Sequence, residues 1–317
     1  MDRTRPAPST RDQSPPQGRA ADRATRRPES GERIIEALLL LAALSSVGIT
    51  LGIVGVLLYE SAVFFRQVSP LDFLTDTQWT PLFADAHYGI LPLLAGTLTT
   101  TAVALALALP VGTITAVFLS EYASARVRET VKPFLELLTS VPTVIFGYFA
   151  LLVVTPWLQH LWPALPGFNM LSAGLVIGVM IIPYISSVSE DALHAVPAHI
   201  REGSLAMGAT RMQTAVRVVV PSAVSGMAAA YVLGISRAVG ETMVVAIAAG
   251  MQPTLTWNPL EPAATVTAYI VQVSLGDLPH GSIGYQTIFV AGFTLFVVTF
   301  LFNVAGYLLR TRYHRKY

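Results

Sequence analysis

Two charged residues, Arg237 and Glu241, stand inside a long apolar stretch of the sequence. The stretch runs from Ser222 to Gly250, consists almost wholly of apolar or small residues, and is long enough to cross a membrane. Because the two residues are four positions apart, a helix would place them on one face. At 1.5 Å per residue Arg237 would lie about 22 Å along that helix, near the middle of a bilayer core about 30 Å thick. A charge at that depth is costly and generally functional.

The pair has two interpretations that the sequence leaves open. Arg237 could contact a substrate, with Glu241 neutralising it when no substrate is present, or the two could form a structural ion pair. For Glu136, in the third predicted span, we favour a structural or gating role. Five hydroxyl side chains in the predicted spans could also donate to a substrate, although such hydroxyls more often bond to the backbone within a helix. They are Thr99, Thr100, Thr101, Ser140 and Thr143.

The composition is that of an integral membrane protein. Hydrophobic residues make up 53% of the 317 residues and charged residues only 12%, and the mean hydropathy is +0.58. A soluble domain carries about twice that share of charge. Cysteine is absent, so disulfides and thiolate metal sites are excluded.

The pattern of apolar runs predicts an all-α membrane protein with six spans. Residues 1–33 are rich in Arg and Pro and are typical of a disordered basic tail. The first apolar run is too long for the core of a signal peptide, so we interpret it as an uncleaved span followed by an outer loop at 59–90. A short basic tail at 310–317 closes the chain. The predicted spans are 34–58, 91–119, 134–158, 171–189, 222–250 and 285–309.

The distribution of Lys and Arg predicts that both termini are cytoplasmic. The tail at 1–33 has eight, the loops at 120–133 and 190–221 have three each, and the tail at 310–317 has four. The other side has only Arg66, so the excess of positive charge lies inside. The tryptophans fall at or beyond the outer ends of spans, as interfacial anchors do. They are Trp79, Trp157, Trp162 and Trp257.

The polar loop before the fifth span carries signals for two short helices. Pro197 suits a helix start, and Gly208 suits the left-handed turn that ends a helix. Thr210 and Gln213 have the spacing of a capping box, and Pro221 would end the second helix. The prediction is helix, glycine turn, helix on the cytoplasmic face. A solvated connector is the alternative that physical signals alone leave open.

The same loop resembles a family motif. Glu202-Gly203-Ser204, then Gly208, then Val218-Val219-Val220-Pro221 is similar to the EAA loop of permeases of binding-protein-dependent ABC importers. The departures are at small and aliphatic positions. The resemblance implies a type I importer permease fold in the cell inner membrane, and a loop at 190–221 that docks into a groove of an ATPase subunit. The residues it would assign to coupling are Glu202, Gly208, Ala209, Thr210 and Pro221.

Further strings resemble the phosphate-specific branch of that family. They include RAVGETM at 237–243, KPFLELLTSVPTVIFGYFA at 132–150 and GYQTIFVAGFTLFVVTFLFN at 284–303, and the similarity covers roughly residues 88–312. It implies phosphate as substrate, with Arg237 and Glu241 on its path and Thr100, Ser140 and Thr143 as possible additions. The planar fork of an arginine suits phosphate oxygens. It also suits molybdate or sulfate, so another oxyanion stays open.

The resemblance implies partners that this chain needs. They are a second permease subunit, two ATP-binding subunits at the loop, and a phosphate-binding protein at the outer loops. The sequence has no G-x-x-x-x-G-K-[ST] motif and no H-E-x-x-H motif, so we expect no cofactor or metal on this chain, no catalytic residue, and ATP hydrolysis by the partners. Nothing in the sequence suggests nucleic-acid binding. A scaffold or channel without an ATPase is the third possibility, and the EAA-like loop speaks against it.

Overall fold

The computed structural model describes residues 30–276, 278–279 and 281–314, and most of these residues lie in helices. Of the predicted tails at 1–33 and 310–317, residues 1–29 and 315–317 lie outside the described residues, and the rest belongs to the first and last helices. The helices are α1 Ser30–Phe64, α2 Pro70–Thr75, α3 Leu91–Val117, α4 Ala125–Ser140, α5 Thr143–Phe149, α6 Thr155–Leu161, α7 Met170–His194, α8 Ala198–Ala206, α9 Arg211–Thr214, α10 Val220–Val239, α11 Met243–Ala248, α12 Val266–Ser274 and α13 Ile283–His314.

Six helical runs in the described residues are long and apolar enough to cross a membrane, which confirms an all-α protein with six candidate spans. Three π turns, at Phe118–Tyr122, Ala150–Val154 and Ala215–Val219, extend or join the α-helices into these runs. The runs are Glu32–Phe64, Leu91–Tyr122, Thr143–Leu161, Met170–His194, Arg211–Val239 and Ile283–Leu308.

The third span begins later than the sequence predicts. The prediction was one helix over 134–158, but the structure has α4, a break, and then a helical run over Thr143–Leu161. The break lies at Val141, whose backbone is extended at φ −69° and ψ 127°. Pro142 follows it, and the ring of a proline disfavours the helical conformation of the residue before it. Glu136, predicted to be intramembrane, is an exposed residue of α4, before the span.

The fifth span differs at both ends from the predicted range of 222–250. It runs without interruption from Arg211 to Val239, so the prediction that Pro221 ends a preceding helix is wrong. A π turn stands just before that proline, and its shifted hydrogen bonds accommodate a residue that has no N–H. At the other end the helix stops at Val239, because Gly240 begins a non-helical link to α11.

The connecting loops contain helices that the sequence prediction missed. The outer loop predicted at 59–90 holds the end of α1 and the short helix α2, and residues 251–284, which lie between the fifth and sixth predicted spans, hold α12. Ser69 caps α2 by accepting a hydrogen bond from the N–H of Leu71, and Thr265 caps α12 by accepting one from the N–H of Ala268. These helices are shorter than a span, so hydropathy alone does not reveal them.

The chain divides into two compact units, Met1–Ile53 and Val54–Tyr317. In the first unit the described part of α1 is exposed along residues 32–53. Gly48 and Gly52 have the spacing typical of close helix packing, but a Cβ added at either position would have nothing within 4 Å. All structural relationships below lie in the second unit.

The core of the second unit is the packing of α3, α7 and α10. A Cβ added at Gly174 would lie 2.7 Å from the Val103 side chain, and one at Gly178 would lie 2.8 Å from the carbonyl oxygen of Ala104. These glycines therefore let α7 approach the backbone of α3 closely. Contact positions rise in parallel along both helices, so α3 and α7 run in the same direction. On α10, a Cβ at Gly234 would lie 2.9 Å from Ile185 of α7.

The two ends of this core differ. At one end, called the loop end, residues 195–219 connect α7 to α10. At the opposite end, an aromatic cluster forms under α2 and α12. Trp79 is 1% exposed there and packs edge-on against Tyr269 with ring centres 5.0 Å apart. Trp79 is therefore a core residue and not the interfacial anchor that the sequence predicts, whereas the other three tryptophans, Trp157, Trp162 and Trp257, are exposed.

Candidate functional site

Arg237 lies in the last turn of α10, against the middle of α7. Its guanidinium carbon stands 4.3 Å from the centre of the Tyr184 ring, a cation–π geometry. The Nε atom is buried and has no hydrogen-bond partner among the described residues. Tyr184 lies near the middle of α7, which places Arg237 at half the depth of that span. The helix that was used to predict the depth of Arg237 ends two residues after it, at Val239, so its position is described here by its contact with α7.

Glu241 lies beyond the end of α10, so the predicted helical pair does not form. The helix stops at Val239, and Glu241 belongs to the link before α11. Its carboxylate accepts from the N–H of Val244 at 3.4 Å, and its backbone carbonyl accepts from Thr267 Oγ1 at 2.6 Å. No ion pair joins Arg237 to Glu241 within the described chain. Glu241 is 8% exposed. Its two hydrogen bonds hold the link between α10 and α11 in place, on the side of Arg237 that faces the aromatic cluster.

The hydroxyl residues are dispersed around the core. Thr100 Oγ1 donates to the carbonyl of Gly96 at 2.8 Å, which is the helix-packing interpretation. Thr99 and Thr101 are buried with no hydrogen-bond partner for their hydroxyls among the described residues. Ser140 and Thr143 stand on either side of the break before α5. The structure brings none of these into hydrogen-bond contact with Arg237 in the part of the chain that it describes.

The loop at 195–219 folds as two helices around a glycine turn, as its residues predict. Pro197 immediately precedes α8, and Gly208 has a φ of +85°, in the left-handed region that glycine adopts without strain. Thr210 and Gln213 form a complete capping box at the start of α9. Ser204 and Thr214 join the two helices through their hydroxyls at 2.9 Å. Local signals in the sequence therefore determine this structure.

One side of this helix–turn–helix is exposed. Met207 is 89% exposed, Met212 62% and Leu205 45%. Glu202 and Gly208 are also exposed, whereas Ala209 and Pro221 are half-buried. Exposed methionine and leucine side chains that lie close together are typical of a protein-binding surface. The surface made by residues 202, 205, 207, 208 and 212 is called the docking surface below.

Sequence reasoning missed a buried charge cluster at the loop end. Glu190 of α7 is fully buried, with Arg128 Nη2 2.6 Å and Lys132 Nζ 3.0 Å from its carboxylate oxygens. A hydrogen bond to Asp191 at 2.9 Å raises the pKa of Lys132. These contacts tie α4 to the end of α7. The sequence signal was an acidic pair at the end of a span, but its basic partners lie about 60 positions earlier.

Comparison with known proteins places the chain in a transport family. Residues 108–316 match the family described as "Binding-protein-dependent transport system inner membrane component". The chain is 35% identical to "Probable ABC transporter permease protein YqgH" of Bacillus subtilis over 266 residues, 84% of each chain. It is 32% identical to "Phosphate transport system permease protein PstC" of Xylella fastidiosa over 299 residues, 88% of this chain and 90% of that protein.

Among solved structures, the fold is similar to that of a bacterial ABC transporter involved in import of the acidic polysaccharide alginate. The TM-score is 0.60 with 19% sequence identity, and the similarity covers 90% of this chain and 99% of that one. The six candidate spans, the exposed helix–turn–helix and these similarities agree with one another. The chain is therefore a multi-pass membrane protein that belongs to the family of inner membrane components of binding-protein-dependent transport systems.

Proposed function

We propose that this chain is a permease subunit of an ATP-driven importer of inorganic phosphate. In this proposal it forms half of the translocation pathway, and a second permease subunit related to it forms the other half. Two ATP-binding subunits dock at the loop end and hydrolyse the ATP, and a phosphate-binding protein docks at the opposite end. The loop end then faces the cytoplasm, the complex lies in the cell inner membrane, and both termini are cytoplasmic.

The observation that carries the proposal is the similarity, along nearly the whole chain, to a protein named as a phosphate permease. Arg237 supports it on chemical grounds. Its guanidinium lies at mid-depth, is not neutralised by Glu241, and has an unpartnered buried Nε among the described residues. A buried donor without a partner costs free energy, so an anion that accepts from it is favoured. Arg237 therefore suits an oxyanion that passes between the two permease subunits.

The docking surface supports the ATPase partners. Its two helices are joined by the turn at Gly208 and are held by the capping box and by the contact between Ser204 and Thr214. It is also apolar enough to bind another protein. Glu202, Gly208, Ala209, Thr210 and Pro221 retain the coupling role that the family resemblance implies, with Pro221 acting inside the helix that follows the loop and not as its boundary.

The test is transport by the complete complex in proteoliposomes. Wild type, Arg237→Gln and Glu241→Gln are compared, with binding protein on one side of the vesicle membrane and ATP on the other. We expect uptake of radiolabelled phosphate that requires ATP and binding protein. Arg237→Gln keeps hydrogen-bond donors but loses the charge, and we expect it to abolish uptake while the complex remains assembled.

Competing anions decide the substrate. An excess of unlabelled phosphate should suppress uptake, whereas sulfate and molybdate at the same concentration should not. Suppression by sulfate or molybdate as strong as that by phosphate would show that the pathway does not select phosphate among oxyanions. Normal uptake by Arg237→Gln at matched assembly would remove Arg237 from the substrate path. Uptake without any ATP-binding subunit would indicate a channel and would contradict the proposal.

A further inference from the structure

Arg201 of α8 connects three separate parts of the chain. Its Nε lies 3.2 and 3.3 Å from the two carboxylate oxygens of Glu121, and its Nη2 lies 3.0 Å from one of them. The Nη2 atom also donates to the carbonyl of Leu193 at 2.7 Å, and Nη1 donates to the carbonyl of Val196. The side chains are only 22% exposed for Arg201 and 11% for Glu121. One guanidinium thus binds the end of α3, the end of α7 and α8 together.

These contacts use features that arginine alone provides. The Leu193 carbonyl lies in the last turn of α7, where it also accepts from the N–H of Val196 at 3.2 Å, so Arg201 adds a second, charged donor. A cation is favoured there by the helix dipole. At the same time the planar fork of the guanidinium donates two N–H groups to one carboxylate. The ammonium group of a lysine does not reproduce this paired geometry. Arg201 therefore contacts a helix end and a carboxylate at once.

Glu121 is fixed to receive this fork. It lies in the π turn Phe118–Tyr122 that ends the span begun by α3, and Ser120 Oγ donates to its Oε1 at 3.0 Å. A carboxylate near the C-terminal end of a helix is disfavoured by the helix dipole, so it needs a cationic partner. Arg201 is half-buried in this contact, whereas Glu202, Leu205 and Met207 of the docking surface are exposed. The docking surface stays free while the pair holds α8.

We propose that Arg201 and Glu121 are the positioning residues that transmit movement of α8 to the membrane core. This inference rests on the proposed function. When an ATPase subunit displaces the docking surface, α8 moves with that surface. The guanidinium of Arg201 then displaces the ends of α3 and α7 in the same direction. These two helices pack closely through Gly174 and Gly178, so we expect them to move together. Movement of α7 shifts Tyr184, and with it the contact with Arg237 in the middle of the core.

The experiment uses the complete complex and measures phosphate transported per ATP hydrolysed. Arg201→Gln and Glu121→Gln remove the two ends of the link, and Arg201→Lys keeps the charge without the fork. Arg126→Gln is the matched control, because Arg126 is an exposed arginine of α4 that makes no ion pair within the described residues. Co-purification of the ATP-binding subunits reports assembly in each variant.

For both glutamine variants we expect assembled complexes that hydrolyse ATP at near wild-type rates. Phosphate transported per ATP should fall about tenfold or more, which lies in the usual range for energetic coupling between sites. The amount of phosphate transported per ATP in Arg201→Lys should lie between the values for wild type and Arg201→Gln. In Arg126→Gln it should equal the wild-type value. An unchanged ratio in both glutamine variants at matched assembly overturns the inference. So does loss of assembly in Arg201→Gln together with an unchanged ratio in the assembled Arg201→Lys.

Measuring the distance between α8 and α3 shows whether Arg201 transmits the movement of α8 or only stabilises the fold. Because the chain has no cysteine, spin labels can be placed at His199→Cys on α8 and Ile114→Cys on α3, both exposed positions. In wild type the distance distribution should stay narrow with and without ATP, since the link holds the two elements together. In Arg201→Gln it should broaden when ATP binds. Equal distributions in both proteins contradict the inference, whereas a wild-type complex that transports no phosphate contradicts the proposed function instead.

Discussion

The guanidinium of Arg237 rests on the ring of Tyr184 and not beside the carboxylate of Glu241. The 4.3 Å contact is a cation–π interaction, so the positive charge is held in place without being neutralised. An ion pair would have to be broken before an anion could bind, whereas an aromatic face leaves the N–H groups at the edge of the guanidinium free to donate. Tyr184 thus orients the arginine while its charge stays available.

Replacing Tyr184 tests this relationship. Cation–π contacts contribute about 0.5–2 kcal/mol, so Tyr184→Leu should lower phosphate uptake by about 2- to 30-fold at saturating binding protein. Tyr184→Phe keeps the ring and should stay close to wild type. Uptake in proteoliposomes, normalised to assembled complex, gives the comparison. If both variants lose uptake equally, the hydroxyl matters more than the ring and the cation–π account is wrong.

Gly208 provides a test of the helix–turn–helix that depends on the backbone alone. Its φ is +85°, and an added Cβ would meet nothing within 4 Å, so steric crowding plays no part. A β-branched residue resists this conformation, at a cost of roughly 1–2 kcal/mol. Gly208→Val should insert into the membrane but lose ATP-dependent transport, whereas Gly208→Asn should retain most of it, because asparagine tolerates left-handed backbone. Normal transport in Gly208→Val would exclude a functional role for the turn.

The loop at 76–89 should respond to pH through His87. Its Nδ1 lies 2.8 Å from Asp76, and Asp85 lies 3.7 Å from Nε2. The hydrogen bond to Asp76 raises the pKa of His87 above its ordinary value of 6.5. The protonated form is therefore favoured by folding. The stability it adds is fully present below pH 6.5 and is lost as the pH rises through the raised pKa.

An NMR titration of the histidine side chains measures this pKa, with His87→Gln identifying the resonance. In Asp76→Asn the pKa of His87 should return toward 6.5, because the main cause of the shift is removed. Asp85→Asn should change it less, since that carboxylate lies farther away. A His87 pKa that is the same in wild type and Asp76→Asn would show that the contact does not persist in solution.

Close packing of α7 on α3 should make Gly178 intolerant of any side chain. An added Cβ lies 2.8 Å from the carbonyl oxygen of Ala104, and a backbone oxygen cannot move aside as a side chain would. Overpacking of this kind costs about 1–3 kcal/mol, so Gly178→Ala should lower the thermal unfolding temperature in detergent. Gly48→Ala is the control, because Gly48 has open space around it. Equal unfolding temperatures in the two variants would contradict the packing that the structure shows.

Short-range signals in the sequence were sufficient for the six apolar helices and for the loop end. The helix–turn–helix is determined by Pro197, Gly208 and the Thr210–Gln213 spacing. Each of these signals affects only the backbone a few residues away in the sequence. The end of α10 was not predictable in this way. Residues 240–250 are nearly as apolar as the helix before them, so hydropathy does not distinguish a continued helix from a broken one. The expected pairing of Arg237 with Glu241 depended on that continuity and was wrong for the same reason.

The contacts that hold the loop end were also beyond sequence reasoning. Arg201 and Glu121 are 80 positions apart, and Lys132 and Glu190 are 58 apart. A single sequence contains no information about which of its charges meet across such distances. Tyr184 was missed because an aromatic residue in an apolar span is ordinary, and only the position of Arg237 in space gives it a role.

The π turn at Phe118–Tyr122 has a consequence for how related chains are aligned. A π turn holds one more residue than the α-helical turn it replaces, so removing that residue rotates everything beyond it by about 100° around the helix axis. A relative with one residue fewer here would show the same apolar length and the same order of spans. Its equivalent of Glu121 would nevertheless point away from its equivalent of Arg201. A single-residue gap at this π turn in a related chain therefore predicts that the contact between the equivalents of Arg201 and Glu121 is lost.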